Sequence, residues 1–527
     1  MLVPGTARDS GVPSVGSRCL GDSDWASHPN LTVSGTVSRH ARIAAVLLLT
    51  SLQPAGVSLA QDEALRRLYG SAQSAEAQGD LRRAADNYEQ IIRLLPDMAE
   101  AHANLGSIYF RLGDDSGAAK SLEKAIELKP ELAAPHFFLG MIAGRRQDYE
   151  RASRHLEACS RLDPTNPIVP IYLGEAYYAT GRHLAAATEF WKASRTSEYR
   201  ADAYYFLNRA YTKLAEGSLE RLGAEHPNSF FLKLSLGRFH EGREDWRQAE
   251  SAYLAAQAVR PEAEGLADRL AWIGHMRHGG PFSVARPPLP EARPSLLGLL
   301  YDPPAGRAIQ PLLEAAGRRL AGNMTGGTGP EAIYRRAEAY QVASYLTARW
   351  IAENDPGSYR AHQLRAQLHE ARGEIDEAVS AYRAALRAKP DLREVHFAIG
   401  TLLWSVSRLD EALPELRAEL EVNPNHPEAH FEIADILVNF DRPDEARAHL
   451  LEAIRVAPEM VEAHLAIERI YFAQGQFAEG LRHLKQAAQL DPADPTPHYR
   501  MVSVYRRLGK PEESARALAE FQRLQRD

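Results

Sequence analysis

Histidine is the residue of this sequence whose type and spacing most suggest chemistry. Neutral imidazoles are common zinc ligands and also serve as general acids and bases near neutral pH. Seven histidines recur in similar short segments such as EAHANLG and EVHFAIG, and most of them stand four residues before a glycine or alanine. They are His102, His136, His362, His396, His430, His464 and His498. The pattern raises the hypothesis of a metal site or a catalytic relay.

A metal ion needs ligands that converge, because ring nitrogens bind zinc at roughly 2.0–2.1 Å. Histidines that recur once per structural unit are instead separated by the spacing of packed helices, about 8–10 Å. Such parallel positions do not chelate one ion. We therefore interpret the histidines as marks of a structural repeat rather than as metal ligands.

Other motifs have the wrong composition for a reactive site. HPEAH (His426, His430) and HMRH (His275, His278) have ligand-like spacing, but neither supplies the glutamate of an HExxH motif. GNMTGGTG lacks the GK[ST] ending of a phosphate-binding loop, and no GxSxG motif is present. Cys159 occupies a helix position that is alanine in other repeats. We therefore expect a non-enzymatic protein without catalytic residues, metal or cofactor.

Composition excludes further classes of function. The 527 residues are 45% hydrophobic and 25% charged, which suits large cores in soluble domains. A formal net charge of −7 gives no basic footprint for nucleic acid. The two cysteines, Cys19 and Cys159, are too few for a disulfide framework or a four-cysteine zinc site.

The N-terminal region contains the three parts of a secretory signal peptide. Basic residues Arg39 and Arg42 precede the apolar run IAAVLLLTSL, and small residues follow up to Ala60. The run ends well short of the roughly 20 residues that a transmembrane helix needs. We predict a signal peptide at 37–60 with cleavage after Ala60, preceded by residues 1–36 that are disordered or a mis-assigned start. The mature protein is then periplasmic or extracellular without a transmembrane segment; the alternative, if the signal does not work, is cytoplasmic.

A 34-residue period runs through most of the chain. It is marked by the prolines Pro96, Pro130, Pro164, Pro390, Pro424, Pro458 and Pro492, which are 34 residues apart within each of the two series. Small residues lie 12 and 24 positions before nearly all of these prolines, and a large aliphatic or aromatic residue lies eight positions before each. A fixed period of this length is typical of stacked supersecondary units.

The unit at 99–132 shows what each repeat encodes. Its apolar residues recur at spacings of three and four, as amphipathic helices require, and the segment LGDD separates two such stretches. Gly106 and Ala118 allow the two helices to approach closely, and Leu122 fills the gap between them. Pro130 ends the second helix, because the residue before a proline is driven from the helical region. Stacking the next pair buries the face that remains.

This order of small, small, large and proline residues resembles the tetratricopeptide repeat (TPR) family, here of a bacterial exported type. The resemblance implies an all-α fold, an α-solenoid in which helix–turn–helix repeats form a right-handed superhelix. The repeated histidines then stand where the family favours a large aromatic residue, as half-buried packing residues. Units begin near residues 65, 99, 133, 167, 230, 359, 393, 427, 461 and 495. Residues 201–229 resemble a shortened unit, and the unit at 167–200 has Glu198 in place of the proline.

The repeats fall into two arrays, 61–263 and 331–527. Between them, residues 264–330 are rich in proline and glycine, and we expect no regular helix to run through them. The segment is an insertion or hinge, either a flexible linker or a functional loop laid across the solenoid. Helix resumes after 330 as a degenerate unit.

The resemblance implies that first helices line a concave groove for an extended peptide or a helix. The inward positions are Phe137, Met141, Arg145, Glu175, Tyr178, Phe397, Thr401, Trp404, Phe431, Asp435, Asn439, Leu465, Arg469, Phe472, Tyr499, Ser503 and Arg506. Aromatic anchors beside single charges suit peptide capture, although some of these side chains are expected to pack against the next unit instead. The lysines and asparagines with which the family grips chaperone tails are missing, since Ala103 and Ser107 stand there.

The sequence therefore predicts a scaffold that binds a protein or peptide partner and no nucleic acid, with its oligomeric state open. Two alternatives remain. One is the repeat arm of a glycosyltransferase-like system, against which the 67 irregular residues at 264–330 are too few for a nucleotide-sugar domain. The other is a carbohydrate- or surface-binding envelope protein, which glycan binding would distinguish from peptide binding.

Overall fold

The computed structural model describes residues 59–278, 287, 328–392 and 394–525. Twenty-three α-helices and one short 3-10 helix form the regular structure of these ranges, which contain no strand. The prediction of an all-α solenoid is confirmed. Residues 1–36 and most of the predicted signal peptide lie outside the described ranges, and so does most of the segment 264–330. No helix within the described ranges has the length and apolar character to cross a membrane.

The chain divides into an N-terminal unit that ends at Leu364 and a C-terminal unit that begins at Arg365. The helices of the N-terminal unit are α1 Leu59–Ala77, α2 Leu81–Leu94, α3 Ala99–Arg111, α4 Asp115–Leu128, α5 Ala133–Arg145, α6 Tyr149–Leu162, α7 Val169–Ala179, α8 His183–Ala193, α9 Arg200–Glu225, α10 Phe230–Gly242, α11 Trp246–Val259, α12 Leu266–Arg277 and α13 Pro330–Asn354. Helix α14 Tyr359–Ala371 contains the boundary.

The C-terminal unit continues with helices of similar length. They are α15 Ile375–Ala388, α16 Val395–Ser405, α17 Leu409–Val422, α18 Pro427–Asn439, α19 Pro443–Val456, α20 Val461–Ala473, α21 Phe477–Leu490, α22 Thr496–Arg507 and α23 Pro511–Leu524. From α16 onwards the helices pair as consecutive hairpins, α16 with α17 through α22 with α23.

The hairpin of α3 and α4 shows why each repeat folds as predicted. Gly113 has a φ of +81° after α3, a left-handed conformation that glycine adopts at little cost. The Asp114 carboxylate then accepts the Gly117 amide at 2.9 Å and caps the N-terminus of α4. A Cβ atom on Gly106 would lie 2.5 Å from Leu122 Cγ, so only glycine permits this helix spacing. Leu122 is fully buried, and its burial contributes about 2 kcal/mol.

Neighbouring hairpins stack in sequence order, as in a solenoid. Helix α4 packs on α5 and α6 on α7, and the first helices α3, α5 and α7 also contact one another. Phe137, Phe138 and Leu156 belong to one core cluster that runs through these repeats. Since each helix pair covers its neighbour, the core is continuous along the array.

Two long helices depart from the repeat pattern. The segment predicted as a shortened repeat, 201–229, is instead the single 26-residue helix α9, and α13 is a single helix of 25 residues. The two pack along each other although they are far apart in sequence. The Tyr211 and Tyr340 rings stack at 6.2 Å, and Asn208 Nδ2 donates to the Ser344 carbonyl at 2.7 Å. Helix α13 therefore belongs to the N-terminal unit.

Helices α10, α11 and α12 occupy the stretch between these partners. The expectation that regular helix ends at 264 is wrong, because α12 runs for 12 residues inside the predicted insertion. It packs against α11, and its Arg269 is only 1% exposed. The Arg269 guanidinium donates to Glu241 of α10 at 2.6 and 3.0 Å, which provides the buried counter-charge.

Candidate functional site

Three of the seven repeated histidines lie against a second histidine. The pairs are His136 with His155 at 3.2 Å, His430 with His449 at 2.9 Å and His464 with His483 at 3.0 Å, measured between Nδ1 atoms. In each pair the partner stands 19 residues later, on the second helix of the same repeat. The sequence analysis missed these partners, although the spacing of 19 is visible in the sequence.

The geometry of each pair is that of a hydrogen bond. His464 Nε2 lies 3.0 Å from the Pro458 carbonyl oxygen, which can only accept, so this nitrogen carries the proton of the neutral ring. Its Nδ1 then accepts from the Nδ1–H of His483. The ring centroids are 5.2 Å apart, so the nitrogens point at each other instead of converging on an ion. The interpretation of the first-helix histidines as half-buried packing residues agrees with this arrangement.

The remaining repeated histidines have other partners. His396 Nδ1 lies 2.8 Å from a Glu415 oxygen, at the position where the pairs carry their second histidine. His102 Nε2 lies 2.8 Å from the Pro96 carbonyl oxygen, and the corresponding second-helix residue is Ser121. The pairing is therefore a property of individual repeats, not of the whole ladder.

Burial disfavours the charged form of the second histidines. It lowers the pKa of His483 to about 4, and His464 and Arg482 act in the same direction. Burial likewise lowers the pKa of His155 to about 4, with His136, Arg151 and Arg154 adding to the effect while Asp148 opposes it. A folded pKa below the unfolded value of about 6.5 means that the unfolded chain binds more protons as the pH falls.

We predict that acid destabilises these repeats through the paired histidines. Their contribution is fully present above about pH 6.5 and is lost progressively as the pH falls towards 4. Because solvent screens half-buried rings, we expect about 1 kcal/mol per pair rather than the full shift. His483→Ala, which places the residue of Ala517 at this position, is expected to flatten the decline in urea midpoint between pH 7 and pH 5. Exposed Lys485→Ala is the control, and an equal decline in both variants would contradict the prediction.

The HPEAH and HMRH motifs do not act as units. His430 faces His449, whereas His426 Nε2 lies 3.3 Å from Glu394 Oε2. His275 is half-buried and His278 is exposed on the last turn of α12 and beyond it. His426 is instead part of a different cluster, with Glu394 and Glu419, in which the ligand-type atoms all lie within 4.8 Å of one another. The sequence analysis did not anticipate this cluster, because its members are 25 and 7 residues apart.

Cys159 packs as a small apolar residue, as predicted. It is 1% exposed, and burial raises the pKa of its thiol to about 12. A thiol that stays protonated is a poor nucleophile.

The predicted groove positions of the N-terminal unit are mostly closed. Phe137, Met141, Glu175 and Tyr178 are each less than 9% exposed, so these four side chains pack against neighbouring helices and do not present a surface to a peptide. Arg145 lies with its guanidinium 3.8 Å above the Phe110 ring and pairs with Asp115 at 3.0 Å. Burial thus corrects the groove assignment for this unit.

In the C-terminal unit some of the predicted positions join neighbouring first helices. Trp404 Nε1 donates to Asp435 Oδ2 at 3.0 Å, and Thr401 Oγ1 lies 2.8 Å from a Glu432 oxygen. These contacts connect α16 to α18. Phe397 packs its ring 4.2 Å from that of His426. Their roles are therefore at least partly structural.

Other positions in this unit stay accessible. Asn439, Arg469, Tyr499, Ser503 and Arg506 are exposed, and Tyr499 reaches 61% although its ring contacts Phe521. Phe431, Leu465 and Phe472 are half-buried. All of them lie on the first helices α18, α20 and α22, so accessible apolar and polar side chains alternate along one row of helices.

Comparison with protein families identifies the repeats. Models described as "Tetratricopeptide repeat" match residues 69–133, 139–211, 360–402 and 397–460, and a model described as "TPR repeat" matches 469–509. Together these segments cover more than half of the chain, and they follow the helix pairs seen in the structure. The chain belongs to the tetratricopeptide repeat family. As such it is a protein-interaction scaffold.

Solved structures of similar fold are other TPR proteins. The MamA protein shares 15% identity and covers 32% of this chain and 92% of its own length, with a TM-score of 0.31. MamA from Desulfovibrio magneticus RS-1 shares 20% identity over 32% of this chain and 95% of its own, with a TM-score of 0.30. YrrB, described as a TPR protein with an unusual peptide-binding site, shares 17% over 34% and 93%, with a TM-score of 0.31. Comparison with curated proteins gave no match.

Proposed function

We propose that this protein is a non-enzymatic scaffold that binds an extended peptide or a helix of a partner protein along the first helices of its C-terminal unit. The observation that carries the proposal is a row of accessible apolar side chains at one repeat position. The row comprises Phe397, Phe431, Leu465 and Tyr499, one from each of four successive repeats. The equivalent residue of the N-terminal unit, Phe137, is buried.

The chemistry beside this row suits a peptide. Arg469 and Ser503 stand one helical turn after Leu465 and Tyr499 and are exposed, so hydrogen-bonding groups alternate with apolar contacts. Aromatic and arginine side chains carry most of the binding energy in protein interfaces. An apolar row flanked by single polar groups matches the anchors of a helix or extended segment laid into a groove.

The test uses a random peptide library displayed on phage, selected against the full chain. Tyr499→Ala combined with Arg469→Ala removes two exposed side chains and leaves the core intact. We expect selected peptides to bind this variant about 10-fold more weakly in fluorescence polarisation, since anchor truncations typically cost above 1 kcal/mol.

Leu451→Ala is the matched control, because Leu451 is 44% exposed on the second helix α19 rather than on a first helix. It should leave the affinity unchanged. Equal affinities of the selected peptides for all three proteins would exclude the first-helix row as the binding surface.

We further propose that the protein is exported. The basic, apolar and small residues that precede Gln61 support this assignment. The predicted cleavage follows Ala60, within the first turn of α1. N-terminal sequencing of the protein from a periplasmic or culture fraction should begin at Gln61. A cytoplasmic protein that retains residues 37–60 would refute the proposal.

A further inference from the structure

We propose that Glu394, Glu419 and His426 form a site for one divalent metal ion of the zinc type. Imidazole and carboxylate donors suit zinc and related first-row ions. His426 Nε2 and Glu394 Oε2 are 3.3 Å apart. Two donors about 2.0–2.1 Å from a tetrahedral zinc ion have roughly that separation. Since all three donor atoms lie within 4.8 Å of one another, small side-chain movements complete the site.

Burial makes a cation favourable here. Glu419 is fully buried, His426 is 4% exposed, and the Glu394 side chain is 14% exposed. Carboxylates taken out of water are costly unless a positive charge accompanies them. Buried Glu432 and the carboxylate of Glu428 add further negative charge around the single imidazole. One imidazolium neutralises only part of this charge, whereas a divalent ion neutralises two carboxylates.

The other repeats show that packing does not require these residues. At the position of Glu419, neighbouring repeats carry Ala385, Ala453 and Ala487, and all three alanines are fully buried. At the position of His426 they carry Leu392 and Met460. One repeat junction has therefore exchanged two apolar residues for ionisable ones, and these two meet in space.

The surrounding hydrogen bonds orient the donors as they do in metal sites. The Glu419 oxygens accept the amides of Glu394 at 3.1 Å and Phe397 at 3.3 Å. His426 Nδ1 lies 3.1 Å from Glu428 Oε2. A ligating histidine commonly donates its other N–H to a carboxylate in this way, which fixes the ring and increases its basicity.

Metal binding implies a change of tautomer at His426. In the metal-free protein Nδ1 accepts the Ala429 amide at 3.3 Å, and Nε2 faces Glu394. When Nε2 binds the ion, its proton is released or moves to Nδ1, which then donates to Glu428. The three protein ligands leave further coordination positions for water. The ion would join the segments that precede α16 and α18 to the end of α17, and so stabilise this repeat junction.

The test is a titration of the chelator-treated full chain with Zn²⁺ by calorimetry, together with the visible spectrum of bound Co²⁺. We expect one equivalent of Zn²⁺ to bind here and to raise the Tm. Glu419→Ala and His426→Leu restore residues used by neighbouring repeats, and each should weaken this equivalent by more than about 100-fold and abolish its Co²⁺ bands. Glu428→Gln, which changes only the orienting carboxylate, should weaken it about 10-fold.

His449→Ala is the control, because it removes a histidine of the same unit that does not belong to the cluster. This variant should keep the equivalent and its spectrum. The proposal is overturned if folded Glu419→Ala or His426→Leu binds Zn²⁺ as the native chain does, or if the native chain shows no Co²⁺ spectrum. Should either variant fail to fold by circular dichroism, an unchanged affinity of Glu428→Gln, whose side chain is 57% exposed, overturns it.

Discussion

Glu241→Ala is expected to lower the local stability of helices α10–α12 by about 3–5 kcal/mol, because it leaves the Arg269 guanidinium buried without its counter-charge. Both side chains are 1% exposed, and two guanidinium nitrogens contact the carboxylate. Tyr253 of α11 also donates to Glu241 at 2.6 Å, so one carboxylate connects three helices. A third guanidinium nitrogen donates to the Pro287 carbonyl.

Hydrogen exchange of residues 230–277 measures this effect directly, because local opening in repeat proteins need not follow global unfolding. Glu250→Ala is the control: Glu250 pairs with Arg277 between α11 and α12, but both side chains are substantially exposed. We expect it to cost less than about 1 kcal/mol. Glu241→Leu with Arg269→Met should recover much of the loss, since an apolar pair avoids the desolvation penalty. Equal protection in Glu241→Ala and Glu250→Ala would show that the buried pair contributes nothing.

The second large effect is expected for Leu346→Ala in α13, at about 2–5 kcal/mol. Leu346 is 2% exposed and belongs to the core cluster that contains Tyr204 and Leu207 of α9. Truncation leaves a cavity between two helices that pair without being consecutive in sequence. The loss should therefore appear in α9 as well as in α13.

Amide exchange in residues 200–225 reports on α9. We expect it to accelerate in Leu346→Ala but not in Tyr345→Ala, because Tyr345 is 42% exposed on the adjacent position of the same helix. If α9 keeps its protection when Leu346 is truncated, the two long helices do not stabilise each other as the structure indicates.

Local sequence accounts for the hairpins because each repeat carries its own signals. Gly106 and Gly400 sit where a Cβ atom would meet a leucine of the paired helix at 2.5 and 2.6 Å. Caps such as Asp114 satisfy amides within their own turn. These are nearest-neighbour constraints, so a period of 34 residues is enough to predict them.

The candidate sites were less predictable. The groove positions follow from the family pattern, yet whether a side chain at such a position is open depends on what packs over it. Phe137 is buried and Tyr499 is 61% exposed, although both occupy the same place in their repeats. The histidine pairs were readable from a spacing of 19 residues, whereas the cluster of Glu394, Glu419 and His426 has no motif.

The sequence alone determined that this protein is a stack of helical hairpins with two repeat arrays and no recognisable reactive motif, because helix periodicity, caps and close-packing residues act over one repeat or its neighbour. Only the tertiary structure decided that α9 pairs with α13, that Arg269 meets Glu241, and which groove side chains stay open. Those contacts join residues at separations that no period fixes, and burial depends on every element packed around a side chain.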